Sequence, residues 1–181
     1  MPAPAATNPG RPIRAGRRAP RARGFTIVEL MIAVGVLAIL SSAALPELSK
    51  LVRDQRIKAA TSDVYVSLIY ARSEAIKRNQ NVALCASTNG SACAGSTNWA
   101  TGWIVFEDSD GDGLPATAAD ILRKQDAISG ITLTGAGANV SYRRDGRLTA
   151  APPNFVVSGT SVTSRCVRMD VSGRPNIKIG C

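Results

Sequence analysis

Apolar and polar positions divide this chain of 181 residues into four stretches. Residues 1–24 are rich in Pro, Ala and Arg and carry no pattern of a folded element. Residues 25–45 run apolar from Phe25 to Leu45, broken only by Thr26, Glu29, Gly35, Ser41 and Ser42. As a helix that run would rise about 32 Å, enough to cross a hydrocarbon core of about 30 Å. From Pro46 to about Gln80 the pattern becomes amphipathic. Ile57, Val64, Leu68, Ala71 and Ala75 recur at spacings of three, four and seven, which makes one helix face. Lys50, Arg53, Arg56, Lys58, Arg72, Lys77 and Arg78 occupy the polar positions, partly balanced by Glu47, Asp54, Asp63 and Glu74. The spacing predicts one long helix from Phe25 to near Lys77. Its first half would lie in a membrane or filament core and its second half on a sheet, with a bend expected at Pro46.

After Gln80 the period shortens to that of strands. Candidates are Asn81–Ala86, Gly102–Glu107, Asp120–Gln125, Ile131–Thr134, Asn139–Arg143, Phe155–Val157, Arg165–Val171 and Ile177–Ile179. Asp145-Gly146 and Ser172-Gly173 read as hairpin turns, and Ser87–Ala100 as a polar loop. The predicted class is α+β, a long helix followed by antiparallel sheet over residues 81–181.

Charge changes little in this picture once its location is noted. Six arginines (Arg11, Arg14, Arg17, Arg18, Arg21, Arg23) lie in residues 1–24, so the net charge of +9 falls to +3 without them. They read as a cytoplasmic, positive-inside flank rather than as a nucleic-acid patch. An ordinary secretory signal peptide, cut near Ser42-Ala43-Ala44, fits the same basic front and apolar centre. The acid inside the apolar run weighs against it. A carboxylate at such a position costs several kcal/mol unless paired, and cleavage between Gly24 and Phe25 would place a terminal amine one helical turn from Glu29.

The four cysteines form two local pairs, Cys85/Cys93 and Cys166/Cys181. A translocated body lies in an oxidising space, where disulfides persist. Three pairings are open, and the local one is expected because each pair brackets a short loop or hairpin. Without a histidine or a C-x-x-C there is no zinc pattern, no Ser-His or Cys-His couple and no nucleotide loop, so no enzymatic activity is expected.

The order Gly24-Phe25-Thr26-Ile27-Val28-Glu29-Leu30 resembles the processing site of type IV pilins and type II secretion pseudopilins. The resemblance implies cutting after Gly24 by a prepilin peptidase, N-methylation of Phe25, and a role for Glu29 in docking into a filament. Pro46 falls where many members of the family have a helix-bending proline. The stretches LCASTNGSAC, STNWATGWIVFEDSDGDG, ILRKQ and VSYRRDGRL resemble the GspH/FimT group of minor pilins and pseudopilins over nearly the whole mature chain. A type IV pilin-like fold is thereby implied, in four parts: a cleaved leader (1–24), a transmembrane or filament-core helix (25–45), an amphipathic helix (46–80) and a periplasmic β domain with two disulfides (81–181). The expected role is structural, with other pilins as partners. The protein would be a single-pass inner-membrane protein with a cytoplasmic N-terminus and a periplasmic body, later placed in a pilus or pseudopilus.

Two further stretches are candidates for binding. Asp108, Asp110 and Asp112 sit at alternate positions with Gly111 and Gly113, like the first half of a calcium loop, but the twelfth position is Ala119 and not an acid. A solvated Asp/Gly turn is the simpler reading, and no cofactor is required. In the C-terminal hairpin, strand alternation puts Arg174, Asn176 and Lys178 on one face, with Arg165 and Arg168 on the preceding strand. FimT-type pilins of natural transformation bind DNA through a C-terminal G-R-x-R stretch. Gly173 and Arg174 match it, Asn176 replaces the second arginine, and Lys178 comes two residues later. The resemblance therefore implies DNA as a possible partner, bound weakly and without sequence preference, with a receptor role in DNA uptake as the alternative function.

Overall fold

The computed structural model describes residues 24–181, with the side chains of 43–46 excepted. The arginine-rich leader up to Arg23 lies outside the described residues. So do the side chain of Pro46, where a bend was expected, and those of Ala43 and Ala44 of the alternative cut site. The described residues divide into two units, one up to Ser41 and one over Ser42–Cys181.

Helix α1 is assigned from Ile27–Arg78. Its first turn is opened by Thr26, whose hydroxyl accepts the N–H of Glu29 at 3.2 Å while its carbonyl accepts that of Leu30. Thr26-Ile27-Val28-Glu29 thus has the residues of a capping box, and a carboxylate in the first turn also complements the helix dipole. In the first unit the apolar side chains from Phe25 to Leu40 are exposed. Among the described residues no single helix is long and apolar enough to cross a membrane; Ile27–Ser42 passes that test only together with Glu47–Arg78. The stretch from 27 to 42 by itself rises about 24 Å, short of a full span.

In the second unit, Ile57, Ala60, Val64, Leu68, Ala71 and Ala75 of α1 are all buried, the stripe read from the sequence with Ala60 added. They pack on strands β1 (Val82–Ala86), β2 (Trp103–Glu107), β3 (Ile121–Gln125), β4 (Thr132–Gly135), β5 (Asn139–Tyr142), β6 (Asn154–Ser158), β7 (Arg165–Met169) and β8 (Pro175–Ile179). All eight expected strands form, yet not as one sheet. They divide into two four-stranded antiparallel sheets, ordered β3-β2-β1-β5 and β4-β6-β7-β8. Trp99 bridges them. Its ring meets Phe155 of β6 edge-on at 4.9 Å between centroids and Trp103 of β2 at 6.4 Å, and its Nε1 donates to the carbonyl of Gly137. Trp103 donates to the buried hydroxyl of Ser67 at 3.0 Å, which anchors β2 to the helix and satisfies both polar groups.

Strand β1 is buried on both faces. Val82, Leu84 and Ala86 join the core beneath α1. Ala83 and Cys85 form a second cluster with Ile104 and Phe106. The Cys85–Cys93 disulfide ties the loop after β1 over that second face. Both expected hairpins are three-residue turns with the glycine at positive φ. Gly146 donates back to Arg143, Gly173 donates back to Asp170, and each turn closes with a bond to the next residue's carbonyl, from Arg143 to Arg147 and from Asp170 to Arg174.

Candidate functional site

The N-terminal candidates lie together on the exposed start of the chain. A methyl group added at Gly24 would meet nothing within 4 Å, and Phe25 is 85% exposed. Among the described residues nothing in the fold requires a glycine at 24 or an aromatic at 25.

Helix α1 carries a second, uncharged stripe on the side turned away from the sheets. Leu48, Val52, Gln55, Ala59, Ser62, Val66, Ile69 and Ser73 recur at alternating spacings of four and three, and all are exposed. None is charged, although Lys50, Asp54, Arg56, Lys58, Asp63 and Arg72 lie between them; Ile76, the next position, packs instead on the turn at Gly146. Such alternating spacing of four and three is the pattern of a coiled-coil seam. Sequence reasoning missed this seam, because charges on either side conceal it until the buried face is known.

The Asp/Gly loop is organised by Asp108. This residue is buried. Its carboxylate accepts the N–H of Gly113 at 3.1 Å and the hydroxyl of Ser141 at 3.1 Å, which joins the loop to β5. Asp112 accepts the N–H of Leu114, and Asp120 caps the following 3-10 turn through Thr117. Oxygens of Asp108, Asp110 and Asp112 lie within 4.8 Å of one another. The bonds that Asp108 makes are those of a loop held to its sheet.

The C-terminal hairpin separates the expected cations. Register pairs Arg168 with Asn176 and Cys166 with Lys178, so Arg168, Arg174 and Lys178 share the outer face, around a groove of 380 Å³. Arg165 does not join them. It is three residues from Arg168 along a strand, hence on the opposite face with Val167 and Met169, where it is half-buried and faces α1. There it adds to the pull on the Asp54 carboxyl, which Lys58 chiefly holds below its ordinary range.

Two acids that the sequence did not single out set the local geometry. Asp170 accepts the N–H and hydroxyl of Ser172 and the N–H of Arg174 with one oxygen, and those bonds hold its carboxyl below the usual range. It is the Asx turn that shapes the β7–β8 hairpin, and the Asp-x-Ser-Gly order was its visible cue. Glu74 is buried. It bonds Arg78 at 2.6 Å and Lys77 at 3.3 Å, with Arg78 reaching on to Glu107 of β2, and its carboxyl is held down chiefly by Arg78. Both disulfides pair as expected, Cys85 with Cys93 and Cys166 with Cys181.

Comparison with known proteins bears on this arrangement. The family model described as type II transport protein GspH matches residues 60–173, and that of the prokaryotic N-terminal methylation motif matches residues 20–45. The chain is similar to the pilin-like protein PilA1 of Thermus thermophilus, 36% identical over 90 residues, which are 49% of each chain. It is also similar to the prepilin peptidase-dependent protein D of Escherichia coli, 35% identical over 78 residues, 42% of this chain and 46% of that one. The chain spans about half the length of the curated relatives it matches. Among solved structures, the type IV minor pilin FimU of Pseudomonas aeruginosa superposes with a TM-score of 0.56 at 19% identity, over 68% of this chain and 89% of that one, which establishes a shared fold. A long N-terminal helix, two antiparallel sheets behind its inner face, a methylation motif at its start and a family model over residues 60–173 lead to one assignment: the chain belongs to the GspH family of minor pilins and pseudopilins.

Proposed function

We propose that this protein is a structural subunit of a type IV pilus or a type II secretion pseudopilus, held in the inner membrane before assembly. In this reading a prepilin peptidase cuts between Gly24 and Phe25 and the new terminal amine is methylated. The body then faces the periplasm and the helix packs among those of other pilins. The observation that carries it is the exposed apolar run that starts at Phe25 and enters α1 at Ile27, with Glu29 in the first turn and a folded body later in the chain. A helix so exposed needs either lipid or other helices around it. The uncharged seam of α1 from Leu48 to Ser73 offers a surface for the second kind of contact. The Thermus relative carries the name of a pilin-like protein and the Escherichia relative that of a prepilin peptidase-dependent one, which agrees with this course of events.

Mass spectrometry of the N-terminal peptide from membranes tests it. The expected species begins at N-methylated Phe25. A chain beginning at Leu45, or one still carrying the leader in cells with an active peptidase, would sink the proposal. Because Gly24 touches nothing in the fold, loss of processing in Gly24→Ala would report on recognition by the peptidase and not on folding.

A further inference from the structure

The edge of the second sheet carries an inference that is independent of the filament reading. Among the described residues strand β8 has one neighbour, β7. The bonds from Gly180 to Ser164 and from Asp170 to Arg174 mark the even-numbered residues as those whose backbone groups face β7. In an antiparallel ladder the intervening residues face the other way. Ile177 and Ile179 therefore turn their N–H and C=O groups outward, along the free edge. Pro175, lacking an N–H, ends that free ladder.

The two faces of this edge differ in chemistry. Ile177 and Ile179 lie on the face that packs towards α1, yet are 39% and 70% exposed. Arg168, Arg174 and Lys178 lie on the other. The strand is held at both ends, by the Asp170 turn and by the Cys166–Cys181 disulfide, so little ordering remains to be done on binding.

We propose that β8 is a strand-addition site for an extended segment of a partner protein in which apolar and acidic residues alternate. Residues of the added strand opposite Ile177 and Ile179 exchange backbone bonds with them and place apolar side chains beside theirs. The residues between them fall on the cationic face, where acids meet Lys178 and Arg174. A second copy of this chain does not fit, because pairing β8 with itself sets one cationic row beside another. Duplex DNA would use the cations but neither the edge groups nor the isoleucines.

The test uses the full-length protein in detergent and a labelled synthetic peptide alternating valine and glutamate, followed by fluorescence anisotropy. Saturable binding is expected. It should weaken about tenfold or more when the peptide amides that face β8 are N-methylated, which removes donors and leaves charge unchanged. Ile177→Pro should weaken it similarly, since that N–H serves no bond within the sheet, and so should the Arg174→Glu, Lys178→Glu double variant. No binding, or equal binding of the N-methylated peptide, overturns the proposal whether or not the proline variant folds. Tighter binding of duplex DNA than of peptide, unchanged by Ile177→Pro, would reassign the row to phosphate contacts.

Discussion

Gly173 has a φ of +79°, and a methyl group added there would lie 2.6 Å from the carbonyl oxygen of Gly146 and 3.0 Å from the ring of Tyr142. The two hairpin turns, one from each sheet, close against each other at this point. Gly146 in turn accepts from Arg72 of α1 at 3.0 Å, so helix and both sheets meet at two glycines. Gly173→Ala is therefore expected to destabilise the protein by more than the ~1–2 kcal/mol that a left-handed residue costs, since backbone must also shift. Chemical denaturation of wild type and variant checks this. Glu74 gives a pH prediction at the same scale. Its pKa is depressed by Arg78, so the native state binds this proton less readily than the unfolded chain does. Its contribution is present above the ordinary value of 4.5 and is lost as pH falls below it, through the lower folded value. Stability should decline with acidity in that range, and Glu74→Gln should flatten that decline. An unchanged slope would show that Glu74 is not one of the groups responsible.

At the scale of elements, the two disulfides have different work. Cys85–Cys93 lies against the second buried cluster and fastens a loop to a strand already paired on both sides, whereas Cys166–Cys181 closes a hairpin at a sheet edge. Replacing Cys166 and Cys181 together by serine should cost about 3 kcal/mol by the chain-entropy argument for a loop of this length. The Cys85–Cys93 link should survive, as a non-reducing peptide map would show. The seam of α1 gives the second prediction here. Val66 is 43% exposed and faces away from the sheets, so Val66→Arg should leave the fold and thermal unfolding of the protein within about 0.5 kcal/mol of wild type. The same change should disrupt assembly with other pilins, read as loss of cross-linked species in membranes. A variant that assembles normally would show that the seam is not an interface.

For the whole molecule, assembly is expected to depend on Glu29 without insertion depending on it. Glu29→Ala removes a charge from an apolar helix, which favours the bilayer, so membrane fractionation should be unchanged while incorporation into a filament falls. Thr26 provides the control. It caps the same helix turn, and if Thr26→Ala reproduces the whole defect, the acid acts through helix geometry and not through a partner amine.

Much of this was legible locally. A strand is announced by its own alternation and by the turn residues that bound it, so all eight strands, both glycine turns and the buried stripe from Ile57 to Ala75 are readable from the order of residues by itself. The processing motif and the disulfide pairs are legible for the same reason, since each is a short-range pattern. What the tertiary structure alone decided is which strands became neighbours. Nothing in β5 says that it pairs with β1 and not with β4 or β6, because edge and interior strands of one class share the same alternation. The split into two sheets followed from that choice, and so did the outward turn of Ile177 and Ile179 and the uncovered seam on the far side of α1. Periodicity names the faces of an element, but only packing selects which face is covered, since that depends on residues far away in sequence.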